Sequence, residues 1–87
     1  MATIKYNGEE FEYNDKLLGG SPEAYAFQKR LAKSSTGNPI YMYEVYERLF
    51  DGRDEEYAEK LGGIEGLSNL FVAVMEGQDG EAKNSAS

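Results

Sequence analysis

Five acidic residues crowd one stretch of the chain: Asp51, Asp54, Glu55, Glu56 and Glu59. Such a run could hold a calcium ion or supply a carboxylate pair for acid–base work. A calcium-binding helix–loop–helix needs oxygen ligands at alternate positions, a central glycine and a terminal bidentate glutamate. The spacing here does not fit, and Asp54, Glu55 and Glu56 fall where a helix start favours acids. No apolar setting that would shift one of these carboxyl groups is evident, and no separate nucleophile accompanies them. Gly62-Gly63-Ile64-Glu65-Gly66 is glycine-rich ahead of a helix, but it follows a helix rather than a strand and lacks the lysine of a phosphate loop. It reads as a tight turn between helices. Lys29, Arg30 and Lys33 form a short basic cluster. At the end of a helix they suit the negative pole of its dipole; the alternative is a docking patch for an acidic partner.

The composition narrows the chemistry further. The 87 residues include no histidine and no cysteine. The commonest general base, the commonest metal ligand and the thiolate are therefore all missing. We expect no catalytic, cofactor-binding or metal-binding residues, and no enzyme. Sixteen acids against nine bases give a net charge of −7. Nucleic-acid binding draws on Lys and Arg to neutralise phosphates, so that role is not expected. No apolar run reaches the ~18 residues needed to span a bilayer. The start, Met1-Ala2-Thr3-Ile4-Lys5, lacks the pattern of a signal peptide. A cytoplasmic protein without membrane attachment is the expectation. A chain of this length buries only ~60% of its unfolded surface, which leaves a thin stability margin.

The elements that would position any binding surface follow from periodicity and punctuation. Ile4 and Tyr6 alternate with polar neighbours, as do Phe11 and Tyr13, and Asn7-Gly8 lies between the two runs. Both central residues tolerate positive φ, so a two-residue hairpin is predicted that pairs Ile4 with Phe11 and Lys5 with Glu10. A lone hairpin is barely stable in water, and its apolar face must lie on helices. Asn14 to Gly20 reads as a connector. Ser21-Pro22-Glu23 opens a first helix with a hydroxyl cap, a proline and an acid in the favoured order; Ala24, Phe27 and Leu31 share its inner face. Asn38-Pro39 repeats the start, and Asp54 is expected to cap a third helix that Gly62 and Gly63 end. The predicted fold is α+β and mostly helical: an N-terminal β-hairpin packed on a bundle of about four short helices. One globular domain spans 1–76, with the hairpin at 2–13 and helices at about 22–33, 39–50, 54–61 and 64–75. From 77 to 87 the chain offers nothing to bury, and a disordered tail is predicted.

Two helices, the second and the fourth, are apolar over a wide arc, and on the fourth Val72 lies outside the main one. The second leaves Glu44, Glu47 and Arg48 as its polar stripe, with Tyr41, Met42, Tyr43, Val45, Tyr46, Leu49 and Phe50 around the rest. An ordinary surface helix needs an apolar stripe little more than ~100° wide. Either the helix is sandwiched centrally or part of its arc faces a partner, where exposed aromatics serve well as anchors. Tyr41, Tyr43, Phe50, Val72 and Met75 are the expected partner contacts. Phe27, Leu31, Val45, Leu49, Leu67, Phe71 and Val74 are assigned to the core.

The order of these features resembles the small tail assembly chaperones of long-tailed bacteriophages and prophages. The resemblance lies in Ile4-Lys5-Tyr6-Asn7-Gly8-Glu9-Glu10-Phe11-Glu12-Tyr13 followed by short helices. It extends through Tyr57-Ala58-Glu59-Lys60-Leu61-Gly62-Gly63-Ile64, Val72-Ala73-Val74-Met75 and the polar end Glu81-Ala82-Lys83-Asn84-Ser85. The family implies a protein that binds the long, aggregation-prone tape measure protein in the host bacterial cytoplasm until tail-tube subunits assemble around it. It also implies a minor, longer product made by a −1 ribosomal frameshift near the gene's end. Ala82-Lys83-Asn84 can be encoded by a sequence containing the slippery heptamer A AAA AAC, and a tail outside the fold accepts an added domain without disturbing packing. Rival readings are an acidic inhibitor or nucleic-acid mimic bound to a host DNA-binding protein, and a structural component of a phage head or tail. An unpaired hairpin edge also leaves room for a homo-oligomer.

Overall fold

The computed structural model describes the backbone of residues 1–86 and the side chains of residues 1–76, so the side chains of the expected disordered tail at 77–87 lie outside the described residues. The chain runs β1 (Ala2–Tyr6), β2 (Glu9–Tyr13), a 3₁₀ turn (Asp15–Leu18), α1 (Pro22–Ser34), α2 (Pro39–Leu49), α3 (Asp54–Leu61) and α4 (Ile64–Ala86). The hairpin has the predicted register, with Ile4 opposite Phe11 and Lys5 opposite Glu10. Asn7 and Gly8 both take positive φ, 53° and 81°, and that turn twist matches the twist of the flanking strands. Phe11 and Tyr13 are buried while Thr3, Lys5 and Glu10 on the opposite face are exposed, so the hairpin lays one face on its own chain's helices.

Asn14 to Gly20 is more ordered than a plain connector. The Asn14 side chain accepts from the Lys16 N–H at 3.1 Å and so caps the 3₁₀ turn. The Asn14 N–H donates to the Leu49 carbonyl at 2.7 Å, which ties this segment to the end of α2. Leu17 is buried. Four residues are too short for helical periodicity to show, and the turn rests on local capping and one buried side chain. Ser21 then accepts from the Ala24 N–H at 3.1 Å, and Asn38 accepts from the Ile40 N–H at 3.1 Å. Both predicted caps form.

The cap expected of Asp54 does not. Arg53 occupies the N-cap position without a side-chain bond to the helix, and Asp54 is the first residue inside α3. The Arg53 guanidinium instead reaches Glu12 on β2 at 2.6 Å. Asp54, Glu55 and Glu56 still serve the helix start through its dipole. At the other end Gly62 adopts φ 87°, and the Gly63 N–H bonds the Ala58 carbonyl at 2.7 Å. This left-handed cap turns the chain directly into α4. Gly66 is required by proximity: a Cβ there would lie 2.1 Å from the Leu61 carbonyl oxygen.

The core draws on every element. Phe11, Phe27, Val45, Leu49, Phe50, Leu70 and Val74 are its most completely buried large side chains. The Tyr57 ring meets Phe11 edge-on at 4.9 Å between centroids and Phe50 at 5.3 Å; Tyr46 meets Phe71 at 5.6 Å. Edge-to-face geometry is the favoured arrangement for such rings. Six of the seven residues assigned to the core are buried, and Leu31 is half-buried against it. The radius of gyration, 12.8 Å, is close to the ~12 Å expected of a folded chain of this length. Among the described residues, no helix is long and apolar enough to cross a membrane.

Candidate partner-binding surface

The wide apolar arc of α2 is divided between core and solvent. Val45, Tyr46 and Leu49 are buried, and Met42 is half-buried against the core. Ile40 and Tyr43 are 57% and 54% exposed; three residues apart, they are neighbours on the outer face. The central-helix reading and the spare-surface reading thus apply to different sides of one helix.

The five expected contact residues do not form one surface. Tyr43 and Val72 are exposed. Tyr41 is half-buried, and it lies about 200° around the helix from Tyr43, so the two cannot share a face. Met75 is half-buried and packs against the core. Phe50 is a correction: it is fully buried, wedged against Tyr57 at the end of α2. Its place just past the last helical turn, where the chain folds back through Asp51 and Gly52, directs the ring inward rather than out.

Tyr41 has neighbours that periodicity did not single out. It lines a groove of about 290 Å³ together with Tyr25, Ala26, Lys29, Arg30 and Lys33. Tyr25, Lys29 and Lys33 follow one another at four-residue steps along α1, which stacks them on one ridge. Arg30 donates from Nε to Glu44 of α2 at 2.8 Å and braces the two helices. The Lys33 ammonium stands 5.7 Å from the Tyr41 ring centroid, within cation–π range. Tyr25 is 69% exposed, the most exposed of the large apolar side chains. Lys29 is exposed and has no ion pair among the described residues. The signal that could have found this groove is charge order along the chain. Between Glu23 and Glu44 there is no acid at all, yet three of the nine bases fall there.

A second, more open depression of about 510 Å³ lies where α1 meets the end of α2, lined by Leu17, Glu23, Ala26, Glu47, Arg48 and Asp51 among others. Its charges are mixed, and no aromatic side chain lines it. Among the described residues, no three acidic side chains converge closely enough to hold a metal ion. Asp51 to Glu59 instead spread along a turn and the outside of α3. Compared with models of known protein families, with characterised proteins and with solved structures, the chain has no match.

Proposed function

We propose that this protein works by binding another protein rather than by catalysis, as an assembly chaperone in phage tail morphogenesis. Its client is the tape measure protein, kept soluble in the host bacterial cytoplasm until tail-tube subunits are recruited. One observation carries the binding part of this reading. A chain of 87 residues leaves Tyr25, Ile40, Tyr43, Ile64 and Val72 between 44% and 69% exposed, on three different helices. Dispersed aromatic and aliphatic side chains suit weak contacts at several points along a long client. The net charge of −7 would keep such a complex dispersed. The resemblance in element order and in the Ala82-Lys83-Asn84 end supports the assignment to tail assembly.

Two experiments test it. The native gene is expressed with its downstream DNA, and products are detected by an antibody to the N-terminus and by mass spectrometry. A minor longer product diverging near Lys83-Asn84 supports tail assembly; a single product and no slippery heptamer removes that support. Co-expression with the tape measure protein encoded nearby should raise its soluble fraction. The Tyr43→Ala and Val72→Ala variants should lower that gain while unfolding at an unchanged temperature. Loss of folding stability in both would show them to be packing residues and sink the proposed contact role.

A further inference from the structure

We infer that the groove between α1 and α2 receives an acidic segment of a protein partner, with paired carboxylates on Lys29 and Lys33 and an apolar side chain against Tyr25 and Tyr41. This deepens the protein-binding reading and rests on it. The charge distribution points to the occupant. Residues 24–43 carry three bases and no acid, whereas the rest of the chain carries sixteen acids against six bases. Of the three bases in the groove, Arg30 is already paired with Glu44. Lys33 meets only the face of Tyr41, and Lys29 has no charged partner among the described residues. Two cations remain, one helical turn apart.

Aromatic rings beside cations can also stack nucleobases. Two features favour a short acidic peptide over a nucleic acid. A polyanion running beyond the groove meets a surface dominated by carboxylates, and screening acts only past ~8 Å at physiological ionic strength. A peptide segment confines its negative charge to the groove. Lys29 and Lys33, at i and i+4, also match carboxylates four residues apart on a helix. Tyr25 and Tyr41 supply the apolar contact that gives such a complex its specificity beyond charge.

The test uses the full-length, isotope-labelled protein, titrated and followed by NMR. The probe is a synthetic helical peptide with two glutamates four residues apart and a leucine between them, compared with the same peptide carrying glutamine at both positions. Shifts should concentrate around Tyr25, Lys29, Lys33 and Tyr41, and the glutamine peptide should bind on the order of tenfold more weakly. Binding should weaken as salt rises. Lys29→Glu combined with Lys33→Glu should abolish it, and Tyr25→Ala should weaken it, each with the folded spectrum retained. Equal binding of the two peptides, or shifts centred elsewhere, would overturn the inference. So would tighter binding of an oligothymidine strand at the same residues, or signal loss there with rising protein concentration and no peptide, which would assign the groove to a second copy. If the peptide result fails while the wild-type protein still keeps the tape measure protein soluble, the groove inference falls alone. If the peptide binds but client solubility does not change, the chaperone reading falls alone.

Discussion

Tyr57 and Tyr25 each stand on a helix beside basic residues, and the fold treats them in opposite ways. Tyr57 is buried between Phe11 and Phe50. Its hydroxyl accepts from the Glu12 N–H and donates to the Glu12 carbonyl, each at 3.0 Å. Glu12 sits opposite Thr3 at a position whose backbone groups point out of the hairpin, so one side chain satisfies the outer edge of β2 at Glu12. Arg53 and Lys60 flank it and pair with Glu12 and Glu9 at 2.6 and 3.1 Å. Tyr25 is mostly exposed, and its companion Lys29 has no counter-ion among the described residues. Residue type does not separate the two sites. What separates them is the supply of acids: β2 brings Glu9 and Glu12 to α3, whereas residues 24–43 carry no acid and the nearest partner on α2, Glu44, is already used by Arg30. The first region spends its polar groups inside the fold, and the second leaves them available.

The largest effects should come from breaking the first region. Tyr57→Ala removes two ring contacts and both bonds to the β2 edge, and should cost about 3–5 kcal/mol. For a domain whose whole stability is on the order of 5–10 kcal/mol, chemical denaturation should show most of the margin gone. Tyr57→Phe keeps the rings but leaves the outward Glu12 groups without their partner. Its cost should be about 1–2 kcal/mol, read as a shift in denaturation midpoint at unchanged slope. A cost as large for Tyr57→Phe as for Tyr57→Ala would mean the hydroxyl, not the ring packing, fixes this junction.

Gly66→Ala tests the turn that carries α3 into α4. A methyl group 2.1 Å from the Leu61 carbonyl oxygen cannot be accommodated without moving backbone. The expected loss is about 1–3 kcal/mol, although alanine is otherwise the better helix former. A neutral or stabilising result would show that the corner opens freely.

The ion pairs of the same region predict a smaller, pH-dependent effect. The hydrogen bond from Lys60 to Glu9, and then the carboxylate's charge, hold the Lys60 ammonium above the ordinary lysine range. A raised folded-state value means that its contribution is complete below the ordinary lysine pKa and is lost as pH rises through the folded value. Wild-type thermal stability should therefore fall more steeply above about pH 10 than that of Lys60→Met. Parallel curves would mean the pair contributes nothing, as many exposed pairs do.

How much of this was legible beforehand follows from range. The hairpin register, both proline-led helix starts and the Gly62 turn rest on residues close by in sequence, and each forms as predicted. Asp54 falls one residue inside α3, where Arg53 holds the cap position and pairs with Glu12, forty-one residues away in sequence. Phe50 was misplaced because its direction depends on where the chain turns after α2 and on Tyr57 waiting there. The groove is not legible in the sequence because Tyr25 and Tyr41 belong to different helices, and only their packing makes one surface. The acid-free stretch from Ala24 to Tyr43 was visible throughout, but charge order gains meaning only once α1 and α2 are known to lie side by side.

The smallest stability effect belongs to the second region, and it makes the contrast sharp. Tyr25→Ala removes a ring that is 69% exposed and stacks on no other ring among the described residues, so stability should change by less than about 0.5 kcal/mol. The same substitution should weaken binding of the glutamate-bearing peptide. Those two readings together distinguish a side chain held for contact from one held for packing. A stability loss comparable to that of Tyr57→Phe would place Tyr25 in the structural class. Two tyrosines beside lysines would then differ only in exposure, and the surplus cations of α1 would serve its helix dipole alone.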